Sequence, residues 1–181
     1  MAIDQAAALK MALRSYERGR AARAAMFAAP LAATALLAVC LGTTPSLALG
    51  LGVALLASSW FFLWRGQSFG RAVFPGVLAG LMPLGLALAA RSYGHVCTGS
   101  ECVSLCVPAC TGGGLLAGLL IARAGRHVTS KLTFFGSASL VAGLIGALGC
   151  SCVGAGGVVG LAVGLAFTLV PASILRPQMS R

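Results

Sequence analysis

The chain has 181 residues, of which 59% are hydrophobic and 9% charged, with a net charge of +10. A soluble domain carries about 25% charged residues, so this chain cannot cover a water-facing surface with its own polar groups. Composition therefore excludes an ordinary soluble domain and predicts a single domain with lipid as its solvent.

In chain order, the first element is the stretch "AIDQAAALKMALRSYERGRAAR", which reads as a helix. Ala6, Leu9, Leu13 and Tyr16 recur as a narrow apolar stripe, and Lys10, Arg14 and Arg18 line another face. Such a helix either lies on anionic lipid or docks a cytoplasmic partner. Its charged region is long for a secretory signal. "LAVC", ending at Cys40, looks like a lipoprotein cleavage box, but Val39 stands where a small residue belongs. The segment after the arm is therefore read as a retained helix.

Six apolar segments follow, at 24–43, 46–64, 72–90, 104–122, 132–149 and 152–175. Each meets or approaches the roughly 20 residues that cross a bilayer core of about 30 Å. The fifth is the shortest. Alternating apolar and polar residues, the mark of a transmembrane barrel, are absent. The expected fold is all-α: a polytopic six-helix membrane bundle, with an arm at 1–23, a membrane domain at 24–175 and a tail at 176–181.

The basic residues orient that bundle. If six spans alternate, every Lys and Arg among the 13 except Arg91 falls on one side. The positive-inside rule puts that side, and both termini, in the cytoplasm. Topology and attraction to anionic headgroups account for the basic excess, so nucleic-acid binding is not expected. The same alternation places all seven cysteines at or near the outer face, where disulfides persist.

No Asp, Glu, Lys or Arg stands near the middle of a span, which argues against a proton relay. No acid–base pair or nucleophilic triad is present, so no enzyme activity and no small-molecule substrate are expected. His95 and His127 fall on opposite sides. Among the 25 glycines, Gly156, Gly160 and Gly164 form one small stripe, Gly114 and Gly118 another, and Gly143 and Gly146 belong to the fifth span with Gly136 and Gly149. Small stripes let helices approach closely in lipid, so spans four, five and six are expected in mutual contact. Pro75, Pro83 and Pro171 are expected to kink or end helices.

The chemistry concentrates in "HVCTGSECVSLCVPAC". If the fourth helix starts by residue 102, Cys102, Cys106 and Cys110 share one face. Cys97 and His95 precede them, and Cys150 and Cys152 arrive from the next outer turn. Three roles compete. The first is disulfides, most plausibly Cys102 or Cys106 with Cys150 or Cys152, with at least one of seven thiols left over. The second is thiolate binding of a soft metal such as Zn, Cu(I), Cd or Hg, although C-x4-C-x3-C-x3-C is not a standard zinc or iron–sulfur spacing. The third is inert packing, most easily for Cys40 and Cys110.

The segment "CVSLCVPACTGGGLLAGLLIARAGRHVTSKLTFFGSASLVAGLIGALGCSC" resembles the second half of the six-span bacterial anti-sigma factors, negative regulators of extracytoplasmic-function sigma factors. Cys102 or Cys106 matches the opening outer cysteine. Ala142, Gly143, Gly146 and Ala147 match an AGxxGA motif, and Cys150 or Cys152 takes the closing position. "CSCVGAGG" departs from the family's aromatic and His–Cys closing motif, and the additional cysteines are not part of its pattern. The resemblance implies a cytoplasmic N-terminal helix that holds a sigma factor, here residues 2–23.

Together these observations predict a membrane sensor-regulator. Its outer cysteines would respond to redox or thiophilic metal stress, and its arm would sequester a sigma factor. The competing expectations are a thiophilic metal-binding or transport protein and a scaffold subunit of a membrane complex. Transport would need an inner sulfur acceptor, and no inner link carries a cysteine.

Overall fold

A computed structural model describes residues 2–41, 45–93, 95–98, 101–128, 130–150 and 155–174. Among the described residues, six α-helices make up the architecture: α1 (Ala2–Leu41), α2 (Pro45–Arg65), α3 (Gln67–Tyr93), α4 (Cys106–Ala124), α5 (Lys131–Cys150) and α6 (Ala155–Ile174). A two-stranded antiparallel hairpin, β1 (His95–Thr98) and β2 (Glu101–Ser104), joins α3 to α4. Among the described residues, four helices are long and apolar enough to cross a membrane, over Ser46–Arg65, Gln67–Ala90, Val107–Ala124 and Lys131–Gly149. In α6 the apolar stretch among the described residues is the shorter Gly157–Val170.

Two expected boundaries move. The arm and the first span are one unbroken helix of 40 residues. The junction reads "AARAAM", and alanine and arginine are among the strongest helix formers. The fourth helix begins at Cys106 rather than by residue 102. Pro108 suits the later start. In the first turn its missing N–H costs nothing, but a helix begun at 102 would place it in the interior at a cost of about 3 kcal/mol. The preceding valines and threonine flank Gly99-Ser100, and they form the hairpin instead. Pro75 and Pro83 end nothing: α3 continues through both.

The centre of the bundle is α5, the span that looked shortest. Half of its membrane-length window is buried, against 22% for α2. It contributes Phe134, Phe135, Ala138 and Ala142 to one core with α3, α4 and α6. It contributes Val141, Ile145 and Leu148 to a second core with Leu31 of α1 and Ala48 and Leu55 of α2. α5 carries no charged residue after Lys131, but α6 carries none at all, so apolarity does not set α5 apart; its contacts with both cores do.

Glycines make close approaches on several pairs of helices, among them α3–α5 and α4–α6. Where α3 meets α5, a Cβ on Gly80 would stand 2.8 Å from the Ile145 Cβ and 3.0 Å from the Ala142 Cα. One on Gly76 would stand 2.9 Å from the Ala138 carbonyl oxygen. Where α4 meets α6, a Cβ on Gly114 would stand 2.6 Å from the Leu161 carbonyl oxygen, and one on Gly164 2.6 Å from that of Thr111. Backbones this close gain dispersion that lipid cannot supply to the separated helices.

Spans four, five and six meet one another in one core, as expected, and α3 joins them there. α4 packs on α6, while α5 packs chiefly on α3. Gly118 lies against Thr168, and Gly146 against Leu161 and Pro83. Gly160 is in ordinary van der Waals contact with Thr111. Gly143 faces open space with nothing within 4 Å of an added Cβ, so it is not a close-approach position. The side chain position of Gly156 lies outside the described residues.

Candidate functional site

The two ends of the bundle differ in chemistry. Ser68, at the start of α3, shares a hydrogen bond with Ser130, just before α5, so the α2–α3 and α4–α5 connections lie together. Thr133 extends this hydroxyl cluster, donating to the Ser130 hydroxyl at 2.9 Å. Arg20 of α1 reaches the same end. Its guanidinium donates to the carbonyl oxygen of Trp64, and to that of Arg65 at 3.0 Å. These are among the last carbonyls of α2, which lack helical donors, and a cation there also suits the helix dipole. Gly66 follows in the left-handed region at φ 69° and Gln67 at φ 51°, which turns the chain directly into α3. Arg65, Arg71, Arg123, Arg126 and Lys131 all belong to this end by their positions in the helices.

An aromatic group marks the same level. Trp60 and Trp64 stack with ring centroids 6.1 Å apart, Phe62 stacks on Phe69 at 5.8 Å, and the Arg65 guanidinium lies 5.8 Å from the Phe61 ring centroid and 5.7 Å from that of Phe69. Amphipathic aromatics collect where a bilayer meets water. The run "WFFLWR" carried this signal in the sequence. Arg20, by contrast, could not be singled out without the fold, because its partners are more than forty residues away.

The arm residues Leu9, Lys10, Leu13, Arg14, Tyr16 and Arg18 are all exposed, Leu9 at 63% and Tyr16 at 65%. Since Arg20 sits level with Trp64, the preceding turns of α1 run beyond the end of α2. At 1.5 Å per residue, a straight helix carries them about 27 Å further. The junction of arm and α2 forms a cleft lined by Glu17, Arg20, Trp64 and Arg65.

The cysteines gather at the opposite end. Cys110, one turn into α4, is fully buried against Ala87 of α3 and is disulfide-bonded. Of the three roles left open for the cysteines, the disulfide is the one Cys110 takes, not inert packing. Ala87 also lies 3.5 Å from the Cβ position of Gly149, next to Cys150 at the end of α5. Cys106 opens α4 and Cys102 lies on β2, so Cys102, Cys106 and Cys110 do not form one helical face. In the hairpin Cys97 is paired with Cys102 and His95 with Ser104. His127 lies in the 3-10 turn Gly125–His127, at the basic end. Cys40 falls in the last turn of α1. Cys152 lies outside the described residues, as do the side chains of every cysteine except Cys110.

Among the described residues no three His, Cys, Asp or Glu side chains are grouped to hold a metal ion. The chemistry within reach at this end is thiol–disulfide exchange, with soft-metal binding dependent on side chains outside that set. No family model matches the chain, and no curated protein or solved structure matches it.

Proposed function

We propose that this protein is a bacterial inner-membrane sensor-regulator of the anti-sigma type. In this reading six spans cross the membrane, both termini are cytoplasmic, and the cysteine end faces outward. The N-terminal helix sequesters a sigma factor, and oxidation or soft-metal capture at the outer thiols changes that grip.

The observation that carries the proposal is the separation of the two ends along continuous helices. Exposed Leu9, Leu13 and Tyr16 stand on the same continuous α1 that packs on α2 through Ala35 and Gly52. The cysteines lie at the far end of that bundle, and a disulfide at Cys110 suits an oxidising compartment. A shift of α3 or α4 at the disulfide reaches α5, which supplies fully buried residues to both cores. Coupling of this kind needs an element that both ends bias, and α5 is the candidate.

The test is co-purification of the full chain with the host's extracytoplasmic-function sigma factors, compared with a Leu9→Asp/Leu13→Asp variant. We expect a sigma factor on the intact chain and at least a tenfold loss on the variant. Equal recovery on both, or none on the intact chain, overturns the proposal.

A further inference from the structure

We infer that Cys97 and Cys102 form a redox-active dithiol pair across the β1–β2 hairpin, with His95 as the base that activates it. This deepens the sensor reading, and its outward exposure to oxidant rests on that reading.

The argument starts from register. Thr98 pairs with Glu101 and Cys97 with Cys102. Only Gly99 and Ser100 stand between the strands. In a hairpin with a two-residue connection, the pair beside the connection is the hydrogen-bonded one and the next pair is not. Cys97 and Cys102 occupy that next pair. Cα atoms in such pairs lie about 4.5 Å apart, within the roughly 4.4–6.8 Å that a disulfide spans. Directly opposed residues share one face of the ribbon. His95, two residues before Cys97, belongs to the same face by the period of a strand.

Position sets this pair apart from the buried disulfide at Cys110. A bond between residues 97 and 102 closes a very short loop and constrains little of the unfolded chain. It can form and break while the helical bundle stays intact. A histidine beside a thiol favours the thiolate, which is the nucleophile in exchange.

The reaction is ordinary exchange with a disulfide oxidant such as oxidised glutathione. His95 takes the Cys97 proton, and the thiolate attacks one glutathione sulfur. A Cys97–glutathione disulfide forms and one glutathione thiolate leaves. The Cys102 thiolate then attacks the Cys97 sulfur and expels the second glutathione. The protein dithiol loses two electrons, the oxidant gains them, and the two thiol protons end on two glutathione molecules.

The chain carries a built-in assay. Glu101 is the only acidic residue after Glu17, so a Glu-specific protease cuts between the two cysteines. After treatment of the full chain with oxidised glutathione in detergent, we expect the fragments before and after Glu101 to stay joined until reductant is added. Cys97→Ser or Cys102→Ser should release them without reductant, and Cys40→Ser should not. His95→Gln should slow closure severalfold near pH 7 and leave the final joined fraction unchanged. Fragments that separate in the wild type, or remain joined in Cys97→Ser, overturn the pair. An unchanged closure rate in His95→Gln overturns the role of the base. If the pair closes but Cys97→Ser leaves sigma-factor release unaltered, the pair stands and its part in sensing fails.

Discussion

At the scale of single residues, space separates glycines that look alike in the sequence. A methyl group on Gly80 meets the Ala142 Cα and the Ile145 Cβ, and backbone cannot step aside. Gly80→Ala should therefore destabilise the bundle by about 1–3 kcal/mol, as overpacking does. Gly143→Ala meets nothing within 4 Å and should change stability by no more than about 0.5 kcal/mol. Unfolding of both variants in mixed micelles of mild and denaturing detergent checks the contrast. Gly66 is a different case. Its φ of 69° is a conformation that side chains resist, so Gly66→Ala should cost about 1–2 kcal/mol. Glycine spacing was legible along α4 and α6. Gly76 and Gly80 have the same spacing, but nothing local says which glycine face meets another helix.

At the scale of elements, prolines and caps bear on where helices start and how they are held. Pro108 stands in the first turn of α4, and Cys102 lies on a strand rather than on that helix. Arg20 ties α1 to the end of α2. Arg20→Ala should loosen this junction, at a cost of about 1 kcal/mol from the lost cap and dipole interaction. A nitroxide label at position 13 should become more mobile in Arg20→Ala, and Arg20→Lys should recover part of the restraint. Unchanged label mobility would show that packing along α1 alone fixes the arm.

At the scale of the molecule, the buried disulfide joins Cys110 to a cysteine whose side chain lies outside the described set. Ala87 lies between Cys110 and the Gly149 end of α5. An i, i+4 bond to Cys106 would not meet the Cβ spacing of about 3.5–4.5 Å. Reduction should lower the unfolding free energy by about 2–4 kcal/mol, the usual worth of such a cross-link. Cys110→Ala should respond to reductant by less than the wild type does. An equal response in the two proteins would show that Cys110 contributes no stabilising bond.

The amino-acid sequence by itself determined that the chain is built of long apolar helices, because composition and segment length are set residue by residue against lipid. It also determined that the Arg-rich links and the cysteines belong to opposite ends, since alternation along the chain is enough for that. Tertiary structure alone decided that α5 is central, that α3 is its main partner, and that Gly143 is not a contact. It alone put Arg20 on the carbonyls of Trp64 and Arg65. The physical reason is common to all four: in lipid, hydrophobicity no longer distinguishes the inside of the bundle from the outside. The choice of partners then falls to close-range fit between surfaces distant in the chain, and one-dimensional spacing does not contain that fit.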